Sequence, residues 1–341
     1  MLVNGKWTAD WQPVQASDEQ GRFVRQTSSF RNWITADGSP GPTGTGGFKA
    51  EAGRYRLYVA LICPWASRTL IARKLKGLES LIAVTVVNPV LTDQGWAFGG
   101  YPGADADPLH SAAHLHQLYS HAADDYTGRA TVPVLWDEKT DTMVSNESAD
   151  IVRMFNTAFA DLSLGKPDLY PADLAADIDR LNAEIYDSLN NGVYKAGFAS
   201  TQAAYDEAVA GVFATLARLE DRLSGDYLFG DRFTETDIRL FVTLIRFDAA
   251  YHGLFKTNLH RIADYPRLSA YMARILRQPG VAQTVNLDHI KAGYYSIKAL
   301  NPSGIVPVGP ENVSRLIASV RALASGERIP VTLIARPELY A

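Results

Sequence analysis

Cysteine is almost absent: Cys63 is the only one in 341 residues. No disulfide can close within the chain, which fits a reducing cytoplasm, and a dithiol redox cycle on one polypeptide is excluded. Long apolar runs are also missing. None approaches the ~18 residues of a membrane helix, and Met1-Leu2-Val3-Asn4-Gly5-Lys6-Trp7 lacks the charged-then-apolar pattern of a secretion signal. Positive charge is not in excess, with 33 Lys+Arg against 37 Asp+Glu and a formal net charge of -4. Without a basic cluster, a nucleic-acid partner is not expected.

What is present suits a globular protein of two domains, 47% hydrophobic and long enough to bury its own core. Residues 1–50 read as a polar and aromatic N-terminal extension packing on the first domain and ending in a Gly/Pro-rich loop. A strand follows at residues 54–60, then Cys63-Pro64 and a helix stopping at Gly77, then an apolar strand over 81–87. Residues 88–131 break the pattern as an insertion rich in Gly, His and Asp. The sheet resumes at 131–136 and 142–144, and Asn146-Glu147-Ser148 opens another helix. This β-α-β, β-β-α order predicts a thioredoxin-like domain over 51–166. From 167 to 310 only amphipathic helices are expected, including 172–194 and 202–223. Thr234-Glu235-Thr236-Asp237 reads as a capping box. The fold class is thus α/β followed by all-α, with residues 311–341 a C-terminal tail of no assigned role.

Cys63 stands where a strand passes into a helix, with Pro64 at the first helical position. As N-cap, its sulfur is expected to face the backbone N–H groups of Trp65 and Ala66. Helix-terminal positive potential favours thiolate over thiol and so raises the nucleophilic fraction. In a Cys-x-x-Cys site a second thiol resolves the mixed disulfide, but here Ala66 holds that position. A disulfide on Cys63 must be released by a thiol from solution, and glutathione is the abundant cytosolic one.

Glutathione makes further demands, and the sequence offers a residue for each. Its cysteinyl unit needs backbone pairing, which Val132 supplies if the bond to Pro133 is cis. Its γ-glutamyl carboxylate suits the helix opened by Ser148, with Glu147 beside it for the ammonium. Arg129 can take the glycyl carboxylate.

Beyond these, distinctive segments recur: Cys63-Pro64-Trp65-Ala66, Tyr126-Thr127-Gly128-Arg129, Val132 to Asp137, Ser145 to Ser148, Asn190 to Phe198, Arg246-Phe247-Asp248, His289-Ile290-Lys291 leading to Tyr294-Tyr295, and Asn301 to Ile305. Through them the chain resembles the glutathionyl-hydroquinone reductases, the xi-class glutathione transferases, over about residues 5–310. The resemblance implies that glutathionyl-hydroquinone and glutathione give hydroquinone and oxidised glutathione. Cys63 would attack the thioether sulfur, and a second glutathione would resolve the mixed disulfide. Because an aryl carbon leaves poorly, it must be protonated through a keto tautomer while donors stabilise charge on the ring oxygens. For that role the resemblance points to Tyr194, Tyr251 and one of Tyr294 and Tyr295, with Tyr294 preferred. It places Trp96 beside the glutathione and implies a homodimer joined through the helical domains. Family members commonly carry His after Cys-Pro-Trp-Ala; Ser67 stands here instead.

Other patterns compete. His110, His114, His116 and His121 with Asp124 and Asp125 suggest a metal, but only His110 and His114 share helical spacing and no cysteine assists, so no metal is expected. Arg22, Arg25 and Arg31 read as packing of the extension. The competing functions are a thioltransferase or dehydroascorbate reductase and a protein that only binds glutathione. A capping thiol argues against the last, and phenol donors separate the hydroquinone reductase from the thioltransferase or dehydroascorbate reductase.

Overall fold

The structure is a computed structural model that describes residues 1–9, 16–163 and 167–325. Residues 326–341 of the expected tail lie outside the described residues. The chain forms two compact units, one of residues 1–16 and 25–169, the other of residues 17–24 and 170–341.

In the first unit, the short strands β1 (Leu2–Val3) and β2 (Lys6–Trp7) pair as an antiparallel hairpin. The main sheet holds β3 (Tyr55–Val59), β4 (Ile82–Val86), β5 (Val134–Asp137) and β6 (Thr142–Ser145) in the order β4-β3-β5-β6. β3 runs parallel to β4, with Leu57 opposite Val84, and antiparallel to β5, with Leu57 opposite Leu135. Helix α1 (Pro64–Leu75) provides the crossover that a parallel pair requires, and α3 (Ser148–Thr157) packs beside it. Tyr55, Leu57, Val59, Ile71, Leu135, Trp136 and Phe155 are fully buried between sheet and helices. The insertion is stitched to this core: Asp105 Oδ2 accepts Val86 N–H at 2.8 Å, and Asp107 Oδ1 accepts the buried Tyr58 hydroxyl at 2.9 Å. It also carries helix α2 (His116–Ala122).

The second unit is helical: α4 (Ala175–Ile185), α5 (Gly192–Gly197), α6 (Gln202–Arg222), α7 (Glu235–Arg246), the single turn α8 (His252–Leu254), α9 (Pro266–Leu276), α10 (Leu287–Tyr295) and α11 (Glu311–Ser325). Every residue of α7 is buried, making it the centre of the bundle. Its capping box forms as the sequence predicts. Thr236 N–H donates to Thr234 Oγ1 at 3.3 Å, and Thr234 N–H donates to Asp237 Oδ2 at 2.8 Å.

Four readings change. The helix expected over 172–194 is broken by a π-helical turn at Tyr186–Asn190. There the Asn190 amide reaches away to Arg239 O at 2.9 Å and Thr243 Oγ1 at 2.7 Å, trading regular winding for a bond to α7. The tail contains α11, whose Val313, Leu316, Ile317 and Val320 are buried; their i, i+3, i+4, i+7 spacing makes one apolar stripe. The extension divides. Residues 17–24 group with the second unit, where Arg22 pairs with Glu207 at 2.9 Å. Arg31 stays in the first unit and pairs with Asp150. Finally, His110 and His114 share no helix, because α2 begins at His116.

Candidate functional site

Cys63 is the N-cap of α1, in extended conformation (φ -74°, ψ 120°) with Pro64 following. Its carbonyl accepts Ser67 N–H at 3.0 Å and starts the helical ladder. The sulfur does not cap as expected. It makes no side-chain capping bond, and Sγ instead donates to the Val132 carbonyl at 3.6 Å. That contact belongs to the protonated thiol, since a carbonyl oxygen has no donor to offer a thiolate. The Val132–Pro133 peptide is cis, and Val132 thereby joins Cys63 from 69 residues away.

Trp65, two residues after Cys63, carries two cations. The guanidinium of Arg68 lies 4.3 Å from the Trp65 ring centroid, and that of Arg25 lies 4.8 Å from it. Arg129 is half-buried, and burial together with the nearby charge of Arg25 lowers its pKa to about 10. It is therefore still a cation at neutral pH, desolvated and beside a like charge. An anion placed there relieves both penalties.

Ser148 opens α3 as expected, and Glu147 just before it is the N-cap. Its Oε1 accepts Ala149 N–H at 3.0 Å and its Oε2 accepts the Ser28 hydroxyl at 2.9 Å. Ser145 Oγ accepts Glu147 N–H at 3.1 Å just before the cap. Ser148 becomes the buried first helical residue. Trp96 sits half-buried in the insertion, its carbonyl accepting Leu115 N–H at 2.9 Å.

Within the second unit the structure brings three of the expected tyrosines together. The hydroxyls of Tyr194 and Tyr294 are 2.6 Å apart, those of Tyr251 and Tyr294 2.8 Å, and those of Tyr194 and Tyr251 3.5 Å. They come from α5, from the end of a second π-helical turn at Phe247–Tyr251, and from α10. Phe255 packs against all three rings at centroid distances of 5.2–5.6 Å. Gly197 makes room for it, since a Cβ there would meet the Phe255 ring at 2.4 Å. Burial pushes Tyr251 and Tyr294 well above the usual tyrosine range, partly offset by the charge of buried Arg246. Both hydroxyls are therefore protonated donors at neutral pH. The triangle contains Tyr294 and not Tyr295.

Sequence reasoning missed Arg68, Ser28 and Phe255, quoted Arg246 in a motif without giving it a role, and read Arg25 as packing. Only Arg68 left a signal, its spacing of three from Trp65 on one helix. The others depend on contacts distant in sequence.

Residues 62–158 match the glutathione S-transferase N-terminal domain family, and residues 202–274 match the glutathione S-transferase C-terminal domain family. Glutathionyl-hydroquinone reductase YqjG of Escherichia coli K12 is 56% identical over 312 residues, covering 91% of this chain and 94% of its own. Glutathionyl-hydroquinone reductase PcpF of Sphingobium chlorophenolicum is 48% identical, covering 91% and 96%. Among solved structures, glutathione-bound YqjG superposes with a TM-score of 0.84 at 54% identity, covering 91% of this chain and 95% of its own. The xi glutathione S-transferase of Phanerochaete chrysosporium gives 0.82 at 50% identity, covering 87% and 95%. With a thioredoxin-like unit, a helical unit and this degree of identity along nine-tenths of its length, the chain belongs to the glutathionyl-hydroquinone reductases, the xi class of glutathione transferases.

Proposed function

We propose that the protein reduces glutathionyl-hydroquinones to hydroquinones with glutathione as co-substrate. The carrying observation is the triangle of tyrosine hydroxyls, 2.6–3.5 Å on a side, held in an aromatic shell. A thiol with helix-terminal activation serves any glutathione exchange, whereas clustered phenol donors suit oxygens on an aromatic ring.

The first unit, residues 51–166 above all, is assigned the glutathionyl half of the substrate. Val132 pairs with its cysteinyl backbone, and Arg129 takes the glycyl carboxylate. The α3 terminus at Ser148 takes the γ-glutamyl carboxylate, Glu147 the ammonium, and Trp96 borders the tripeptide. The helical unit is assigned the ring. A donor from Tyr194, Tyr251 and Tyr294 stabilises the keto tautomer, in which the sulfur-bearing carbon has gained a proton. The Cys63 thiolate then attacks the glutathionyl sulfur. The carbon–sulfur bond breaks, its electron pair returns to the ring as hydroquinone, and a Cys63–glutathione disulfide remains. A second glutathione thiolate attacks that disulfide, releasing oxidised glutathione and Cys63. The cycle as written uses no metal.

Helix α1 supplies the potential for thiolate formation, and the Val132 carbonyl opposes it. Substrate backbone pairing at Val132 would compete for that carbonyl and release Sγ. This gives the cis-proline segment two tasks, binding and control of the nucleophile.

The same reading places the protein in the glutathione-rich cytoplasm as a homodimer joined through its helical unit; among the described residues no helix is long and apolar enough to cross a membrane. Light scattering on the purified chain at twice the monomer mass would support the dimer. Steady-state assay of glutathionyl-hydroquinones beside a glutathionylated peptide and dehydroascorbate tests the function. Turnover confined to the disulfide and dehydroascorbate would replace the reading by thioltransfer.

A further inference from the structure

Apart from every residue assigned above, His110, His121 and Asp141 converge in the first unit. His110 precedes α2, His121 lies in its last turn, and Asp141 occupies the turn between β5 and β6 with a left-handed φ of 52°. His110 Nε2 is 2.7 Å from Asp141 Oδ1, and His121 Nε2 is 2.7 Å from Asp141 Oδ2. The imidazole centroids are 4.7 Å apart, and one donor atom from each residue falls within 4.8 Å of the others.

The surroundings separate this group from an ordinary surface ion pair. Among the described residues, His110 Nδ1 is buried without a hydrogen-bond partner and faces Asp107 Oδ2 at 3.7 Å. Asp107 is rigidly held. It accepts the N–H groups of Leu109, His110 and Ala112 at 3.0–3.3 Å and the Tyr58 hydroxyl at 2.9 Å. A carboxylate behind one ring nitrogen, with the other nitrogen facing outward, is the arrangement that orients metal-binding histidines. A buried Trp136 backs both rings, at 5.2 Å from His110 and 5.9 Å from His121.

We propose that His110 Nε2, His121 Nε2 and one Asp141 oxygen bind a divalent transition-metal ion of the zinc type, with water completing the shell. Two imidazoles and a carboxylate select Zn²⁺ over Mg²⁺ or Ca²⁺, which take oxygen ligands. Around an ion with tetrahedral bonds of roughly 2.0–2.2 Å the donors stand about 3.3–3.6 Å apart, so the 2.7 Å contacts must open slightly and the widest separation, up to 4.8 Å, must close by about 1 Å. The exposed His121 and Asp141 side chains can make that adjustment. The bound ion would staple the insertion to the β5–β6 turn, a structural role separate from the thiol chemistry.

Zinc titration of the full reduced chain by calorimetry tests this, with Cys63→Ala included to remove binding at the thiol. One zinc per chain is expected in both. Binding should weaken at least tenfold in His121→Gln and in Asp141→Asn, and stay unchanged in His260→Gln. Zinc should also raise the melting temperature of the wild type and of Cys63→Ala by a few degrees, and leave the two ligand variants unmoved. Absence of saturable binding in Cys63→Ala overturns the site, as does equal affinity in folded His121→Gln and Asp141→Asn. A cobalt complex of Cys63→Ala lacking visible ligand-field bands would also overturn it, independently of those variants.

Discussion

Tyr194 and Tyr294, one hundred positions apart in sequence, share a 2.6 Å hydrogen bond between their hydroxyls, and Tyr251 closes on the same pair. Phenols in mutual contact at the end of a helical bundle need a reason, because leucine or phenylalanine would pack there without a polar group to satisfy. The reason offered above is a ring oxygen that takes up one of these hydrogen bonds.

Tyr194→Phe and Tyr294→Phe should each slow formation of the mixed disulfide by about 10²-fold, the typical loss for one donor at a developing negative charge. Resolution by the second glutathione should be nearly unaffected. Single-turnover measurement of the two half-reactions checks this, and equal slowing of both would remove the tyrosines from the ring chemistry.

Cys63→Ala should abolish hydroquinone release. Wild-type protein given glutathionyl-hydroquinone without excess thiol should gain the mass of one glutathione on Cys63, read by intact mass spectrometry. Retained turnover in the alanine variant excludes the ping-pong cycle.

Arg129→Gln should raise KM for glutathione while leaving kcat largely intact, because a contact to the glycyl carboxylate holds substrate and transition state alike. Salt should weaken binding to the wild type more than to the variant. An unchanged KM would move the carboxylate elsewhere, with Arg25 the next residue to test.

Asp237 carries a pH prediction for stability. It is fully buried, and burial pushes its pKa up to about 6 despite hydrogen bonds from Leu228 and Thr234 N–H and from Tyr271 Oη. Between the unfolded value near 4 and about 6 the native state holds more protons, so this group's contribution falls as pH rises through that window. Asp237→Asn lacks the titration. Its stability relative to wild type should therefore increase between pH 4 and 7 by on the order of 2–3 kcal/mol. Denaturant unfolding at both pH values measures this, and parallel curves would refute the buried, proton-holding carboxyl.

Much of this protein was legible in its sequence because the signals were local. The helix start at Cys63-Pro64, the box at Thr234 and Asp237, and the alternation in β3 all depend on neighbours within one turn or strand. The cis bond at Pro133 was also reached, and the three tyrosines that cluster were named only through resemblance. What local pattern could not reach was the choice between equivalent donors and acceptors. Nothing near Cys63 in sequence shows that its thiol meets the Val132 carbonyl rather than its own helix. Nothing near Glu147 in sequence shows that the Ser28 hydroxyl holds its carboxylate.

The sequence by itself determined the order of elements, the single cysteine and the lack of a second thiol in the chain, because chain connectivity and residue identity carry those facts. Only the tertiary structure decided that three hydroxyls from separate helical segments form one cluster, and that Arg25 lies over the ring of Trp65. It also drew two insertion histidines onto a turn aspartate. The physical reason is the same in each case. Such contacts are selected by packing of distant surfaces, which sets side-chain positions to within a fraction of an ångström and leaves no periodic trace along the chain.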